Sequence, residues 1–114
     1  MAQIGLLNRN DDDSFDGTLE MKSYNDKVRM IPVARKANDR APDYRLYGRA
    51  DNGKRFDMGA AWVRTKTDGQ GTYISLKIDF PELPAPVYAT LGQAADQDDA
   101  DVLAIIWNRP ETGR

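Results

Sequence analysis

The sequence predicts a mostly β fold: a single antiparallel sheet domain of about seven or eight short strands, arranged as a curled sheet, a barrel or a sandwich. Three observations carry this expectation. Short apolar and β-branched runs recur along the whole chain, separated by Asp, Asn, Gly and Pro clusters. No window shows a sustained helical apolar repeat with caps, although Val87 to Ala95 has room for one short helix. Finally, the stretch Gly59 to Ile78 spells a two-faced hairpin around Asp68-Gly69-Gln70-Gly71.

Ile4 to Leu7 is the first run, and Asp11-Asp12-Asp13-Ser14 is turn chemistry leading into Thr18 to Met21. Val28 to Ala34 reads as a third strand, with Pro32 restricting it to an edge, an end or a bulge. Lys36 to Pro42 is polar loop, Tyr44 to Gly48 a short strand, and Asp51-Asn52-Gly53-Lys54 a turn into the long run Phe56 to Thr67. Gly71 to Phe80 returns beside it. Pro81, Pro84 and Pro86 impose an extended crossing, because each lacks an amide donor and biases its predecessor away from helix. Val87 to Leu91 follows, then an acidic loop from Gly92 to Asp101. The unbroken apolar run Val102 to Trp107 suits a strand buried on both faces. One domain spans 1–114, with 108–114 as a frayed tail.

Composition narrows the chemistry. The 114 residues contain no Cys and no His, which removes disulfides, thiolate and serine-triad catalysis and the commonest zinc ligands. Glu occurs only at 20, 82 and 111, so paired carboxylates are hard to assemble, and Ser75 near Lys77 is the nearest approach to an activated serine. Asp12-x-Ser14-x-Asp16-Gly17 imitates half a calcium loop, but Ser23 stands where the bidentate Glu belongs. Asp96, Asp98, Asp99 and Asp101 read as an acidic loop tip. The chain is therefore expected to be no enzyme and to hold no metal or cofactor. With neither a leader-like start nor an apolar run of membrane-spanning length, it reads as soluble, cytoplasmic and free of the membrane.

Charge is unevenly spread. Residues 22–66 hold twelve Lys or Arg against five Asp, a balance of +7, whereas residues 1–21 balance at −4 and residues 67–114 at −5, within a net charge of −2. Such segregation makes a basic face only if the fold keeps the segments apart. The hairpin pattern adds aromatic rings to that charge. An apolar register places Ala61, Val63 and Thr65 with Ile74, Leu76 and Ile78, and a slip of one residue would expose the second set. The opposite face then carries Trp62, Arg64 and Lys66 beside Tyr73, Ser75 and Lys77, extended by Arg45, Tyr47 and Arg49 on a neighbouring strand. Binders of single-stranded nucleic acid combine such rings with Lys and Arg along the backbone. We therefore take Arg45, Tyr47, Arg49, Trp62, Arg64, Lys66, Tyr73 and Lys77 as the candidate nucleic-acid face. A face rich in Trp, Tyr and Arg that docks a protein has the same composition, so a protein-protein interaction module is the alternative. Strand edges near Pro32 or Ile4 to Leu7 offer a further route to pairing between chains, and the oligomeric state stays open. Strict alternation sends Trp62 outward, where it either meets a partner or is covered by another element.

At IGLLNR, KVRMIPV, APDYRLY, GAAWVRTKTDGQGTYISLKID, PAPVYATL and IIWNRP the chain resembles a bacterial family of small proteins, domain of unknown function family 736. Gly59-Ala60-Ala61-Trp62 and Pro84-Ala85-Pro86-Val87-Tyr88 are the most specific of these motifs. This chain departs from the family pattern at Phe80, where an Asp is frequent, and in its longer acidic loop. The resemblance implies no activity and no catalytic residue. It does imply a setting on plasmids and other mobile elements, hence accessory work in replication, transfer or host interaction.

Overall fold

A computed structural model describes residues 2–35, 38–67, 69, 71–93 and 100–108. Eight strands follow in order: β1 Ala2–Arg9, β2 Phe15–Glu20, β3 Asn25–Pro32, β4 Tyr44–Arg49, β5 Arg55–Thr65, β6 Thr72–Ile78, β7 Val87–Gln93 and β8 Val102–Trp107. Each pairs antiparallel with its neighbours in sequence, and β8 returns to β1, so the sheet closes into an up-and-down barrel. Among the curled sheet, barrel and sandwich, the barrel is what forms. The short helix considered between Val87 and Ala95 is instead β7, and Pro32 stands at the end of β3. Closure gives β1 and β3 a neighbour on each side, although Pro32 at the end of β3 pairs only with β4. Asn108 is no frayed residue: its amide donates to the Tyr88 carbonyl at 2.8 Å and its side chain to Thr90 Oγ1 at 2.7 Å. The rest of that tail lies outside the described residues.

An eight-stranded barrel has an interior just wide enough for side chains. Leu7, Leu19, Met30, Leu46, Leu76, Ile78 and Ile105 fill it and are fully buried. Burying each such side chain is worth about 1.5–3 kcal/mol against leaving it exposed. Edge-to-face aromatics close both ends. Phe15 and Tyr44 meet at 5.8 Å at one end, where burial pushes the Tyr44 phenol above its ordinary pKa. Phe56 lies between Tyr24 at 6.0 Å and Phe80 at 5.5 Å at the other. Phe80 is thus a lid on the core. Tyr24, in the turn before β3, also ties β3 to the end of β4, its hydroxyl donating to the Lys27 carbonyl at 2.6 Å and accepting from the Arg49 amide at 2.7 Å.

The β5–β6 hairpin adopts the register expected from its apolar pattern, with Ala61 opposite Leu76, Trp62 opposite Ser75 and Val63 opposite Ile74. Alternation does not extend along all of β5. Leu46 pairs with Gly59 but Tyr47 with Asp57, leaving Met58 as an extra residue in a bulge. Phe56 and Met58 therefore face inward on one parity, and Ala61 on the other. At the bulge, the Gly59 backbone approaches β6 so closely that a Cβ there would fall on the Lys77 carbonyl oxygen. Gly17 on β2 meets the Leu6 carbonyl in the same way.

The Asp12 motif is a turn. The Asp12 carboxylate accepts from the Ser14 hydroxyl at 2.6 Å and the Ser14 amide at 3.0 Å, and these bonds hold its pKa below the ordinary carboxylate value. Among the described residues, no group of three or more acidic side chains converges as a metal site would require. Asp96, Asp98 and Asp99 lie outside the described residues.

Candidate nucleic-acid interface

In a barrel that meanders from each strand to the next, position in the sequence becomes position around the circumference. The segment 22–66 supplies β3, β4 and β5, so its positive charge occupies one continuous arc. The β8–β1 closure makes β6, β7, β8, β1 and β2 the remaining arc. Strand alternation then sorts side chains within the basic arc. Val28, Met30, Leu46, Met58 and Ala61 point into the core, which leaves Lys27, Arg29, Arg45, Tyr47, Arg49, Arg55, Trp62 and Arg64 outside.

Seven of the eight residues expected from sequence share this outer surface. Arg45, Tyr47 and Arg49 alternate along β4, Trp62 and Arg64 along β5, and Tyr73 and Lys77 along β6, where Tyr73 sits opposite Arg64. The eighth, Lys66, follows the end of β5, where its amide donates to the Gly71 carbonyl at 2.9 Å in the register that pairs Thr65 with Thr72, so the ladder carries the alternation one residue past the strand. The other side of the hairpin needs a correction. Val63 faces the interior by parity, but it lies at the open end of the barrel and is 44% exposed, and Thr65 is exposed as well.

Within the arc the residues form two groups. Towards the Gly53 turn, a groove of about 310 Å³ is lined by Lys27, Arg29, Tyr47, Arg49 and Arg55 and by one acid, Asp16. The Arg55 guanidinium stacks 4.2 Å from the Tyr47 ring centre, which fixes both planes in the groove. Asp16 draws on Arg29 at 3.8 Å, whereas Lys27, Arg49 and Arg55 form no ion pair among the described residues. Towards the other end, Trp62 is half-buried. Its indole N–H donates to the Arg40 carbonyl at 3.0 Å and Arg64 stands 5.8 Å from its ring, so the loop before β4 is tied to the barrel wall. Between the groups a second groove, about 400 Å³, runs past Ala60 and Lys77. Arg45 there is neutralised by an ion pair with Asp57.

Sequence reasoning found Tyr47 and Arg49 but missed Lys27, Arg29 and Arg55, which complete their groove. Arg29 alternates with Val28 and Met30, so its outward direction was legible. That β3 lies against β4, with Arg29 opposite Tyr47, required the pairing.

The family model for protein of unknown function DUF736 matches residues 3–110. The chain belongs to the DUF736 family. A search of curated proteins and a search of solved structures each gave no match. For this DUF736 chain the Gly59-Ala60-Ala61-Trp62 motif has a physical account. Gly59 permits the close approach at the bulge, and Ala60 sits on the outer wall between Arg45 and Lys77, only 6% exposed. Ala61 is wholly inside, and Trp62 anchors the Arg40 loop.

Proposed function

We propose that this protein is a non-enzymatic binder of single-stranded nucleic acid, acting through the outer surface of β3 to β6. The observation that carries the reading is the groove that Lys27, Arg29, Arg49 and Arg55 line together with Tyr47, whose ring Arg55 covers. Four cations beside an aromatic plane match a sugar-phosphate backbone whose bases stack, and they ask nothing of reactive side chains. The setting proposed is accessory work for a mobile element in the cytoplasm, in keeping with the family resemblance.

Fluorescence polarisation of a labelled single-stranded oligonucleotide, titrated at several salt concentrations, tests this. If the four groove cations each meet a phosphate, log affinity falls against log salt with a slope of about −3, or roughly fiftyfold between ~50 and ~200 mM salt. Arg49→Ala combined with Arg55→Ala halves that slope. Absence of binding at ~20 mM salt, where counterion release favours any phosphate contact, rejects the proposal. Retention of a protein partner with no oligonucleotide bound would favour the docking alternative.

A further inference from the structure

The aromatic end of the barrel adjoins the cationic groove. Beyond the Tyr24, Phe56 and Phe80 rings lies a recess of about 460 Å³, with Ser23, Ala50 and Pro81 in its walls and Arg49, Asp51 and Glu82 at its rim. This volume lies within the usual range for small-molecule sites, roughly 300–1,000 Å³, and the combination of an apolar floor with a few polar rim groups is typical of them. Arg49 lines both the recess and the groove. Its backbone is held by Tyr24, itself part of the floor, so the side chain starts from a fixed point between the two spaces.

We propose that this recess is a nucleobase pocket. It takes one base splayed from a single strand whose phosphates follow the groove, with Arg49 spanning base and phosphate. The inference rests on the single-stranded reading above and adds where a base is held. Charge determines the orientation. A phosphate placed in the recess would lie beside Asp51 and Glu82 and be repelled, whereas in the groove it meets Lys27, Arg29 and Arg55. A base entering ring-first meets the apolar floor and can donate its ring N–H or amino protons to the rim carboxylates. The edge-to-face packing of Phe56 against Phe80, at 77°, leaves an aromatic floor against which a planar ring can pack.

The test compares labelled oligothymidylate with an abasic chain of equal length and charge, by polarisation at one low salt concentration. The wild-type protein should bind the abasic chain about tenfold or more weakly, since a stacked base is lost while the phosphates remain. Ser23→Leu with Ala50→Leu fills the recess from its walls and leaves every groove cation in place. This variant should bind the abasic chain as the wild type does and lose most of the preference for bases. Equal binding of the two chains by the wild type overturns the pocket and the stacking at Tyr47 but leaves the phosphate contacts of the groove standing. Survival of the full preference in the filled variant overturns it too. Binding of neither chain removes both proposals. Should the filled variant fail to fold, amide-shift mapping of the wild type with thymidine 5′-monophosphate is decisive. Shifts at Tyr24, Phe56 and Phe80 support the pocket, and shifts confined to Trp62 and Tyr73 refute it.

Discussion

Replacing Trp62 separates a wall residue that holds a loop from a core residue. Its side chain is half-buried on the outside of the barrel, and its indole N–H makes a 3.0 Å bond to the Arg40 carbonyl. A tryptophan buries up to about 200 Å² when covered, so roughly half of that, at about 25 cal/mol per Å², contributes about 2.5 kcal/mol. The hydrogen bond adds about 1 kcal/mol. Trp62→Phe, which keeps most of the ring contact and deletes the donor, should therefore cost about 1 kcal/mol, and Trp62→Ala, which keeps only the Cβ contact, about 3 kcal/mol. For a domain of this size each kcal/mol lowers the melting midpoint by about 4 °C. Phe15→Ala is the internal reference, because Phe15 is 1% exposed and emptying such a site costs about 3–5 kcal/mol. Thermal melts by circular dichroism rank the three variants. If Trp62→Ala destabilises as much as Phe15→Ala, Trp62 is a core residue and the division of β5 into inner and outer faces is wrong at that point. If Trp62→Phe has no effect, the Arg40 tie is not stabilising. In the oligonucleotide assay, Trp62→Phe should bind as the wild type, whereas Trp62→Ala should lose about fivefold or more if the ring also stacks a base.

Tyr24→Phe removes one hydroxyl and both of its bonds, leaving the Arg49 amide without its partner. A loss of about 2–3 kcal/mol, or roughly 8–12 °C in the same melt, is expected, and a shift below ~2 °C would mean that water replaces the hydroxyl freely. Gly17→Ala drives a Cβ into the Leu6 backbone, which cannot yield as a flexible side chain does. Soluble, natively melting protein from that variant would contradict the close approach of β1 and β2.

Much of this architecture is legible in the sequence because antiparallel strands on a filled core leave a local record. Alternation at Tyr73 to Ile78 chooses one register, since any slip by one residue exposes Ile74, Leu76 and Ile78, and the observed pairing follows that choice. The same rule sent Trp62, Arg64, Tyr73 and Lys77 outward. Turn residues marked nearly every boundary, which is why the strands appear in the expected order. Local pattern failed where an insertion mattered. The Met58 bulge reverses parity along β5, and no residue in the run declares which position is the extra one.

By itself, the chain determined the strands, the inner and outer faces of the hairpin and the separation of charge along its length, because these depend on neighbours one to a few residues away. Tertiary structure alone decided that the sheet closes. Closure depends on pairing β1 with β8, residues from opposite ends of the chain whose compatibility no local pattern encodes. From closure follows that β1 and β8, like every strand between them, have a neighbour on each side. The groove around Tyr47 and the recess behind Arg49 are likewise products of strands and turns meeting in space. Their residues span positions 16 to 82, and they adjoin because the barrel wall brings them together.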